Sequence, residues 1–252
     1  MLEIHEHADG APSLDGARGN LLLAALPAAD FERLAPDLEP ETLGLGKVLY
    51  EPSAPIEYVH FVDEGLVSVV SRMAEGTVEV GTIGREGFAG SAVLLHADRA
   101  STQTFVQVAG RGRRIPVARL RAALAESPAL QHLLLRYVQA LFEQVAQTAA
   151  CNRLHTLEAR CARWLLMTQD RIGGDRLFLT QEFLSYMLGV HRPAVTLAAG
   201  ALQKAGLIRY RRGRVTVVDR PGLEAAACAC YGVTRQAMER MLADIGTGAS
   251  GA

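Results

Sequence analysis

The sequence predicts an α+β fold in which an antiparallel β domain is followed by a long helix and by a small helical domain ending in a hairpin. Short β-branched and aromatic runs occupy residues 43–117, and an apolar helical stripe follows from residue 127. Two helix patterns joined by a glycine turn occupy residues 180–206. We therefore divide the chain at residues 1–20, 21–126, 127–151, 152–222 and 223–252.

Residues 43–117 have the pattern of an antiparallel sheet. Runs such as YVHFVDEG, LVSVVSR and FVQVAG alternate apolar with polar residues, as strands with one wet face do. A sandwich or barrel of about eight strands fits this pattern. His60 lies among apolar neighbours in one run, which is typical of a core histidine rather than of a haem or metal ligand.

The long helix is predicted to open at Ser127-Pro128, because proline fits the first helical turn. Its main apolar stripe predicts a dimer interface formed by Leu130, Leu134, Tyr137, Leu141, Val145 and Thr148. Leu133, Val138 and Phe142 lie beside that stripe. The stripe is too wide for one partner, so the alternative is that the helix covers its own β domain.

The run TQEFLSYMLGVHRPAVTLAAGALQKAGLI, residues 180–208, predicts a helix-turn-helix. Thr180 can cap the first helix, Gly189 supplies the turn and Gly206 ends the second helix. A helix that enters a DNA major groove gains from small residues and a basic end. The outward face fits that use with Pro193, Thr196, Leu197, Gly200, Ala201 and Lys204. The alternative is an ordinary helical hairpin.

A basic hairpin is predicted directly after these helices. Residues 207–211 and 214–218 are β-prone and are joined around Arg212-Gly213. Arg209, Arg211, Arg212 and Arg214 crowd this ribbon, as a wing that contacts phosphates would require. Residues 152–222 hold twelve Lys and Arg against five Asp and Glu, a net charge of +7, whereas the remainder of the chain carries −8. This localised charge indicates a nucleic-acid surface.

The polar, acidic start MLEIHEHADG lacks the pattern of a secretory signal, and no apolar run reaches membrane-spanning length, so we expect a cytoplasmic protein. Residues 1–20 and 246–252 are expected to be disordered tails. Reduced thiols are expected at Cys151, Cys161, Cys228 and Cys230.

The order of these elements resembles the CRP/FNR family of bacterial transcription regulators over residues 21–222. The likeness rests on VDEGLVSVV with IGREGFAGSAVLL, on SPALQHLLLRYVQALFEQVAQTAA, and above all on LEARCARWLLM leading into the helix-turn-helix and its hairpin. It implies a cyclic-nucleotide-binding-like β-roll, a dimerisation helix and a winged helix-turn-helix. It further implies a homodimer on palindromic double-stranded DNA, with RNA polymerase as a protein partner.

The resemblance also locates an effector pocket, in which cyclic-nucleotide-binding members use a Gly-Glu pair and a later Arg-Ser/Thr-Ala. Here Ser91 follows Gly90 in place of the glutamate, and Arg99 precedes Ala100, Ser101 and Thr102. On the long helix, the position that caps the purine holds Val145. Losing a charge-assisted arginine–phosphate pair costs about 1.5–3 kcal/mol. We therefore expect no cAMP control, and the effector stays unidentified.

Metal and redox chemistry find little support in the sequence. No cysteine precedes Cys151, which excludes the N-terminal iron–sulfur cluster of oxygen-sensing members. Cys228 and Cys230 are expected in one helix, where i and i+2 side chains diverge, and are interpreted as core or surface thiols, with a redox switch as the alternative. Cys151 is the thiol best placed for a sensor, but the favoured interpretation is a small buried cysteine. His5 and His7 offer too few ligands for a metal site, so no cofactor is predicted.

For base reading, the family uses an Arg-Glu pair and a later Arg, which correspond here to Arg192, Pro193 and Leu197. We expect Arg192 to contact a guanine and Leu197 to meet a thymine methyl. The other predicted contacts to phosphates or groove edges are Thr180, Gln181, His191, Thr196, Lys204, Arg211 and Arg212.

The function that these expectations favour is sequence-specific transcription regulation by a homodimer, with a hinge at residues 152–157. The rival is a dimer that binds DNA constitutively and whose β-roll is only a structural or protein-interaction module. A metal-dependent enzyme on the β-roll would need clustered His and Glu, which the sequence does not show.

Overall fold

The computed structural model describes residues 19–74 and 76–248. The strands are β1 (Glu39–Leu43), β2 (Val48–Tyr50), β3 (Tyr58–Met73), β4 (Gly76–Ile83), β5 (Phe88–Ala89), β6 (Gln103–Pro116), β7 (Arg176–Phe178), β8 (Ile208–Arg211) and β9 (Arg214–Val217). The α-helices are α1 (Leu21–Ala25), α2 (Ala28–Leu34), α3 (Val117–Glu126), α4 (Pro128–Leu154), α5 (Leu157–Ile172), α6 (Gln181–Leu188), α7 (Arg192–Lys204), α8 (Arg220–Ala226) and α9 (Cys230–Gly248). Within the described ranges, no helix has the length and apolar character that a membrane crossing requires.

The N-terminal strands form an antiparallel roll with the order β1-β6-β3-β4, to which β2 and β5 add short pairings. The described part of the sheet has six strands rather than about eight, because runs predicted as separate strands are continuous. YVHFVDEG and LVSVVSR together form β3, which bends at Gly65 with φ +94°. Any side chain at Gly110 in β6 would collide with the backbone of Glu64. These glycines therefore keep two long bent strands together instead of ending them.

Helix α4 closes the roll with its widest apolar stripe. Ser127 caps its start by accepting a hydrogen bond from the Leu130 backbone. The Tyr137 ring lies 4.9 Å from that of Phe88, which lies 5.6 Å from Phe61 in β3, between ring centroids. Ser-Pro therefore starts the helix as predicted, and the apolar stripe seals the interior of its own chain.

This packing corrects the predicted dimer interface. Leu130, Leu134 and Tyr137 are buried within the roll core, so they cannot meet a second copy of the chain. Leu141 and Val145 pack toward Gly81 in β4. Thr148 donates to the Gln144 carbonyl and accepts from Arg163. The sequence pattern predicts that the most apolar face of α4 meets a second chain. In the structure that face is buried against the sheet of its own chain, where it removes more apolar surface from water.

The predicted terminal tails are also shorter than expected. Asn20, placed in the first tail, is fully buried and caps α1 by accepting from Leu22 and Leu23. Its amide donates to the carbonyls of Val62 and Gly87, 2.8 Å away in each case. At the other end, α9 continues to Gly248, into the second predicted tail. The remaining tail residues, 1–18 and 249–252, lie outside the described residues.

The C-terminal head combines α5 to α8 with a three-stranded sheet of order β7-β9-β8. Its apolar core includes Trp164, Leu184, Val195 and Leu202. The chain enters the head at His155 and Thr156, which have extended backbone angles between α4 and α5. The break therefore falls inside the segment 152–157 predicted as a hinge.

A buried polar network joins the head to the roll. The Trp164 indole donates to one carboxylate oxygen of Glu79 at 2.6 Å, and the other oxygen lies 2.6 Å from the Ser68 hydroxyl. Ser68 is also 2.5 Å from the Gln107 side-chain oxygen. Because a hydroxyl has one proton, Ser68 can donate to only one of these two oxygens at a time. Burial raises the pKa of Glu79 to about 7, although the hydrogen bonds from Ser68 and Trp164 favour the carboxylate.

An ion pair and apolar contacts complete the joint. Arg171 of α5 donates to Glu86 at 2.7 Å and to Gln144 of α4 at 3.0 Å, which links head, roll and long helix. Phe105 of β6 meets Phe183 of α6 edge to face, with ring centroids 6.4 Å apart. Both apolar and polar contacts therefore hold the head against the β-roll and α4.

Glu79→Gln is expected to stabilise the fold near pH 8. Because the raised pKa means that folded Glu79 holds its proton more tightly than the unfolded chain does, its contribution is present below pH 4.5 and is lost as pH rises through about 7. The variant should gain about 3 kcal/mol in unfolding free energy near pH 8 and little near pH 5. Denaturant titrations at both pH values measure this, with the exposed Glu126→Gln as control. An equal gain at both values would contradict the assignment.

Candidate DNA-binding site

The two helices of the predicted helix-turn-helix are α6 and α7. Thr180 caps α6 by accepting from the Phe183 backbone at 3.0 Å. Gly189 ends it with φ +62°, and Gly206 follows α7 with φ +79°. Pro193 lies in the first turn of α7, where its missing N–H needs no partner. The local prediction for this segment is confirmed residue by residue.

Helix α7 has one buried and one open face. The buried face consists of Val195, Ala198, Ala199 and Leu202. On the open side Arg192, Thr196 and Gly200 are exposed, and Leu197 is 74% exposed. The open face of α7 therefore carries mostly small side chains, with the cation Arg192 at its N-terminal end. This geometry suits entry into a major groove.

The wing is the β8–β9 hairpin. Arg211 pairs with Arg214 across the turn, and both intervening residues, Arg212 and Gly213, have positive φ, as a tight type I′ turn requires. Tyr210 anchors the wing to the helices. Its backbone N–H donates to the Gln203 side chain of α7 at 2.6 Å, and its hydroxyl donates to the Leu179 carbonyl at 2.7 Å. Burial raises the pKa of Tyr210 to about 12, so the hydroxyl stays protonated.

A groove of about 520 Å³ separates α7 from the wing. Five predicted DNA contacts line it, namely Thr180, Gln181, Arg192, Thr196 and Arg212. The Thr196 hydroxyl lies 2.9 Å from the Gln181 side-chain oxygen, which couples the two helices. The other predicted contacts are exposed but lie outside this groove, namely His191, Leu197, Lys204 and Arg211.

Sequence reasoning missed two groove residues, Gln203 and Tyr210. Gln203 follows Thr196 by seven residues, so helical spacing alone places it on the same face. Tyr210 carried no such signal, because its position depends on how the wing folds back. Arg214, assigned to the basic ribbon, stacks over the Phe178 ring at 5.1 Å. That contact holds a cation at the outer edge of the wing.

The predicted effector residues fall into separate surroundings. Gly90 has φ +102°, and a side chain there would meet the Tyr50 hydroxyl. Ser91 begins a short 3-10 helix. Arg99 is exposed and donates to the Ser53 carbonyl at 2.6 Å. Ala100 is buried in the roll core, whereas Ser101 is exposed and Thr102 half-buried. None of these contacts reaches Val145, which lies against β4.

The cysteines divide into one isolated thiol and one group. Cys161 is buried in the head core, and burial raises its pKa to about 12. Cys151, Cys228 and Cys230 lie together instead. The expectation that Cys228 and Cys230 share a helix is wrong: Cys228 precedes α9 and Cys230 is its first residue, so the two side chains need not diverge.

The head and the overall fold are similar to those of known proteins. Residues 159–226 match the Crp-like helix-turn-helix domain family. A search of curated proteins gives no match. A putative CRP/FNR-family transcriptional regulator from Eubacterium rectale has a similar structure, with a TM-score of 0.65 and 18% identity over 81% of this chain and 96% of that one.

Two further solved structures share the architecture. The c-di-GMP-responsive global regulator CLP of Xanthomonas campestris gives a TM-score of 0.64 at 17% identity, over 76% of this chain and 99% of that one. A CRP-family transcriptional regulator of Thermus thermophilus gives 0.62 at 20% identity, over 74% and 96% respectively. At these identities the structural likeness shows the fold, and the domain match identifies the head.

Together, the groove, the wing and the domain match define a class, that of proteins with a DNA-binding helix-turn-helix domain. Residues 159–226 form a Crp-like helix-turn-helix domain, and the chain as a whole shares the fold of solved CRP/FNR-family regulators, with an antiparallel β-roll before the head. The resemblance predicted from the sequence is confirmed.

Proposed function

We propose that this chain regulates transcription as a homodimer that reads a palindromic operator and does not respond to cAMP. The observation that carries the proposal is the open face of α7, which places Arg192, Thr196 and Gly200 beside the wing cation Arg212 across one groove. Small side chains let the helix approach base edges, while the cations at the rim meet phosphates. RNA polymerase is the proposed protein partner, since such a regulator acts at promoters.

Within this site, Arg192 is the side chain proposed to read a base. It is exposed at the N-terminal end of α7, the part of a recognition helix that contacts base edges. Pro193 beside it offers no acceptor for cytosine, and Leu197 presents an apolar surface suited to a thymine methyl. His191, Lys204, Arg211 and Arg212 are proposed phosphate contacts.

Replacing Arg192 by Ala should remove sequence preference and leave non-specific binding in place. A bidentate contact to guanine discriminates by about 1–3 kcal/mol, so preference for the selected operator over a scrambled duplex should fall about 5- to 150-fold. Operators selected from random duplexes and then titrated by fluorescence anisotropy measure this ratio.

Arg211→Ala is the matched comparison, because Arg211 is exposed on the wing outside the groove. It should weaken binding to all duplexes about equally and reduce the slope of log affinity against log salt by about one. If Arg192→Ala behaved in the same way as Arg211→Ala, the base-reading role of Arg192 would be refuted.

The proposed dimer uses the face of α4 that the roll and α9 leave open. Phe142 is 66% exposed and Leu135 is 40% exposed, one seven-residue repeat apart. Ala146 and Ala149 continue the same exposed row. Small and large apolar residues at such spacing let two helices approach closely. This row, rather than the stripe predicted from the sequence, is the proposed interface.

Phe142→Glu should convert the dimer to a monomer, because a carboxylate would lose its hydration between the two helices. Sedimentation velocity at micromolar concentration should show the change in mass, and operator affinity should fall with it. Leu45→Glu is the control, since Leu45 is 76% exposed in the β1–β2 turn, away from α4. A monomeric wild type, or an unchanged dimer in Phe142→Glu, would rule out this interface.

The absence of cAMP control is proposed from the phosphate end of the pocket. Where cyclic-nucleotide-binding members carry arginine, this chain has the buried Ala100, and the neighbouring Arg99 is held at the surface by the Ser53 carbonyl. A cyclic phosphate would therefore lack its charge-assisted partner. Ser91 removes the ribose carboxylate as well.

Millimolar cAMP should change operator affinity by less than about 2-fold, whereas allosteric coupling typically changes affinity about 5- to 150-fold. Anisotropy titrations with cAMP, and with 5′-AMP as control, test this. A cAMP-specific increase would overturn the proposal. If no fraction of cell metabolites changed the operator affinity, the result would instead favour the alternative, a dimer that binds DNA constitutively and whose β-roll is purely structural.

A further inference from the structure

Four potential metal ligands meet where the long helix ends. Cys151 and His155 lie one helical turn apart at the C-terminal end of α4, Cys228 lies in the loop before α9, and Cys230 begins α9. One ligand atom from each residue lies within 4.8 Å of the others. The sulfurs of Cys151 and Cys228 are 3.4 Å apart, as are the Cys230 sulfur and the His155 Nδ1.

These separations are close to those of a tetrahedral zinc site. Zn–S bonds of about 2.3 Å and Zn–N bonds of about 2.0 Å place neighbouring sulfurs about 3.8 Å apart and sulfur and nitrogen about 3.5 Å apart. Three thiolates with one imidazole form a common structural zinc ligand set, and soft sulfur ligands select against magnesium and calcium. We propose that one Zn²⁺ is bound by Cys151, His155, Cys228 and Cys230.

The charges around the group support a bound metal. Three thiolates and one Zn²⁺ carry a net charge of −1. Arg160 and Arg163 line a cavity of about 30 Å³ that Cys151 also borders. Among the described residues neither guanidinium pairs with a carboxylate, and the Nε of each lacks a hydrogen-bond partner. Arg163 is buried and Arg160 is half-buried, so an anionic metal centre beside them would offset part of the cost of removing their charges from water.

A neighbouring side chain further suits thiolate ligation. The Gln147 amide, one turn before Cys151 on α4, donates to the Cys230 sulfur at 2.9 Å. Such outer hydrogen bonds orient ligands and moderate the charge on sulfur. The group also forms a small cluster separate from the roll and head cores, so filling an apolar core does not account for its three cysteines.

The proposed metal would have a structural role at a critical joint. It would tie α9 to the end of α4, immediately before the break at His155 and Thr156. Closed four-ligand sites contribute their binding free energy to folding. Zinc would therefore fix the C-terminal segment against the long helix and define where α4 ends.

The full-length protein, purified under reducing conditions from zinc-supplemented cells, should contain one zinc per chain by mass spectrometry of metals. After zinc is removed with a chelator, Co²⁺ should give the visible absorption of a tetrahedral ion and the ultraviolet charge-transfer bands of thiolate ligation. This readout uses the wild-type chain and does not depend on a variant that folds poorly.

Cys230→Ser should abolish or strongly weaken the thiolate–Co²⁺ bands. Cys161→Ser is the matched control: Cys161 is equally buried but lies in the head core, so this variant should retain the full spectrum. Wild-type protein that takes up no metal, or whose Co²⁺ spectrum lacks thiolate bands, would overturn the proposal. Loss of the Co²⁺ spectrum in Cys161→Ser would also overturn it.

Discussion

The structure depends on the contact between α4 and its own roll. The Tyr137 ring packs on Phe88 inside the sheet, and the rest of the widest apolar stripe follows it into the core. Burying this stripe removes from water the largest apolar surface that the helix has. Of the remaining faces of α4, one packs against α9, and one is open to solvent, with Phe142 exposed.

The head then packs against the roll through polar as well as apolar contacts. Glu79 and Trp164 share a buried hydrogen bond, and Arg171 reaches both Glu86 and α4. Leaving one member of such a network without its partner costs more than the bond itself contributes. The interface between the head and the roll therefore strongly favours one position of the head over arrangements in which the two domains are partly separated. In the proposed dimer, that position would set the distance between the two recognition helices.

The turn of the helix-turn-helix is close to the tip of the β3–β4 hairpin. Val78 lies against Gly189, where a side chain would leave no room. The same hairpin borders a cleft that reaches His191 and Arg192 at the start of α7. A change in the roll that moved this hairpin would thus act directly on the residues proposed to read DNA. If the β-roll binds an effector, this hairpin would offer a short route from the roll to the DNA-binding surface, provided that the effector binds two arrangements unequally.

The sequence alone determined the local structure of the head and its charge. Helix caps, turn glycines and the Arg212-Gly213 hairpin are specified by neighbouring residues, so they could be predicted without tertiary information. The resemblance to the CRP/FNR family rested most heavily on the same segment, with further support from the roll and the long helix. The correct order of roll, long helix and head followed from hydrophobic period alone.

Tertiary structure decided which partner each surface meets. Hydrophobic period shows that a helix has an apolar stripe but not whether the stripe covers the chain's own sheet or a second chain. Leu130, Leu134 and Tyr137, predicted at a dimer interface, are buried in the roll core instead. In the same way, Cys151 and Cys228 are 77 positions apart, and only the packing of α9 on α4 brings them within 3.4 Å. Side chains distant in sequence meet only when elements pack, and neither propensity nor spacing carries that information.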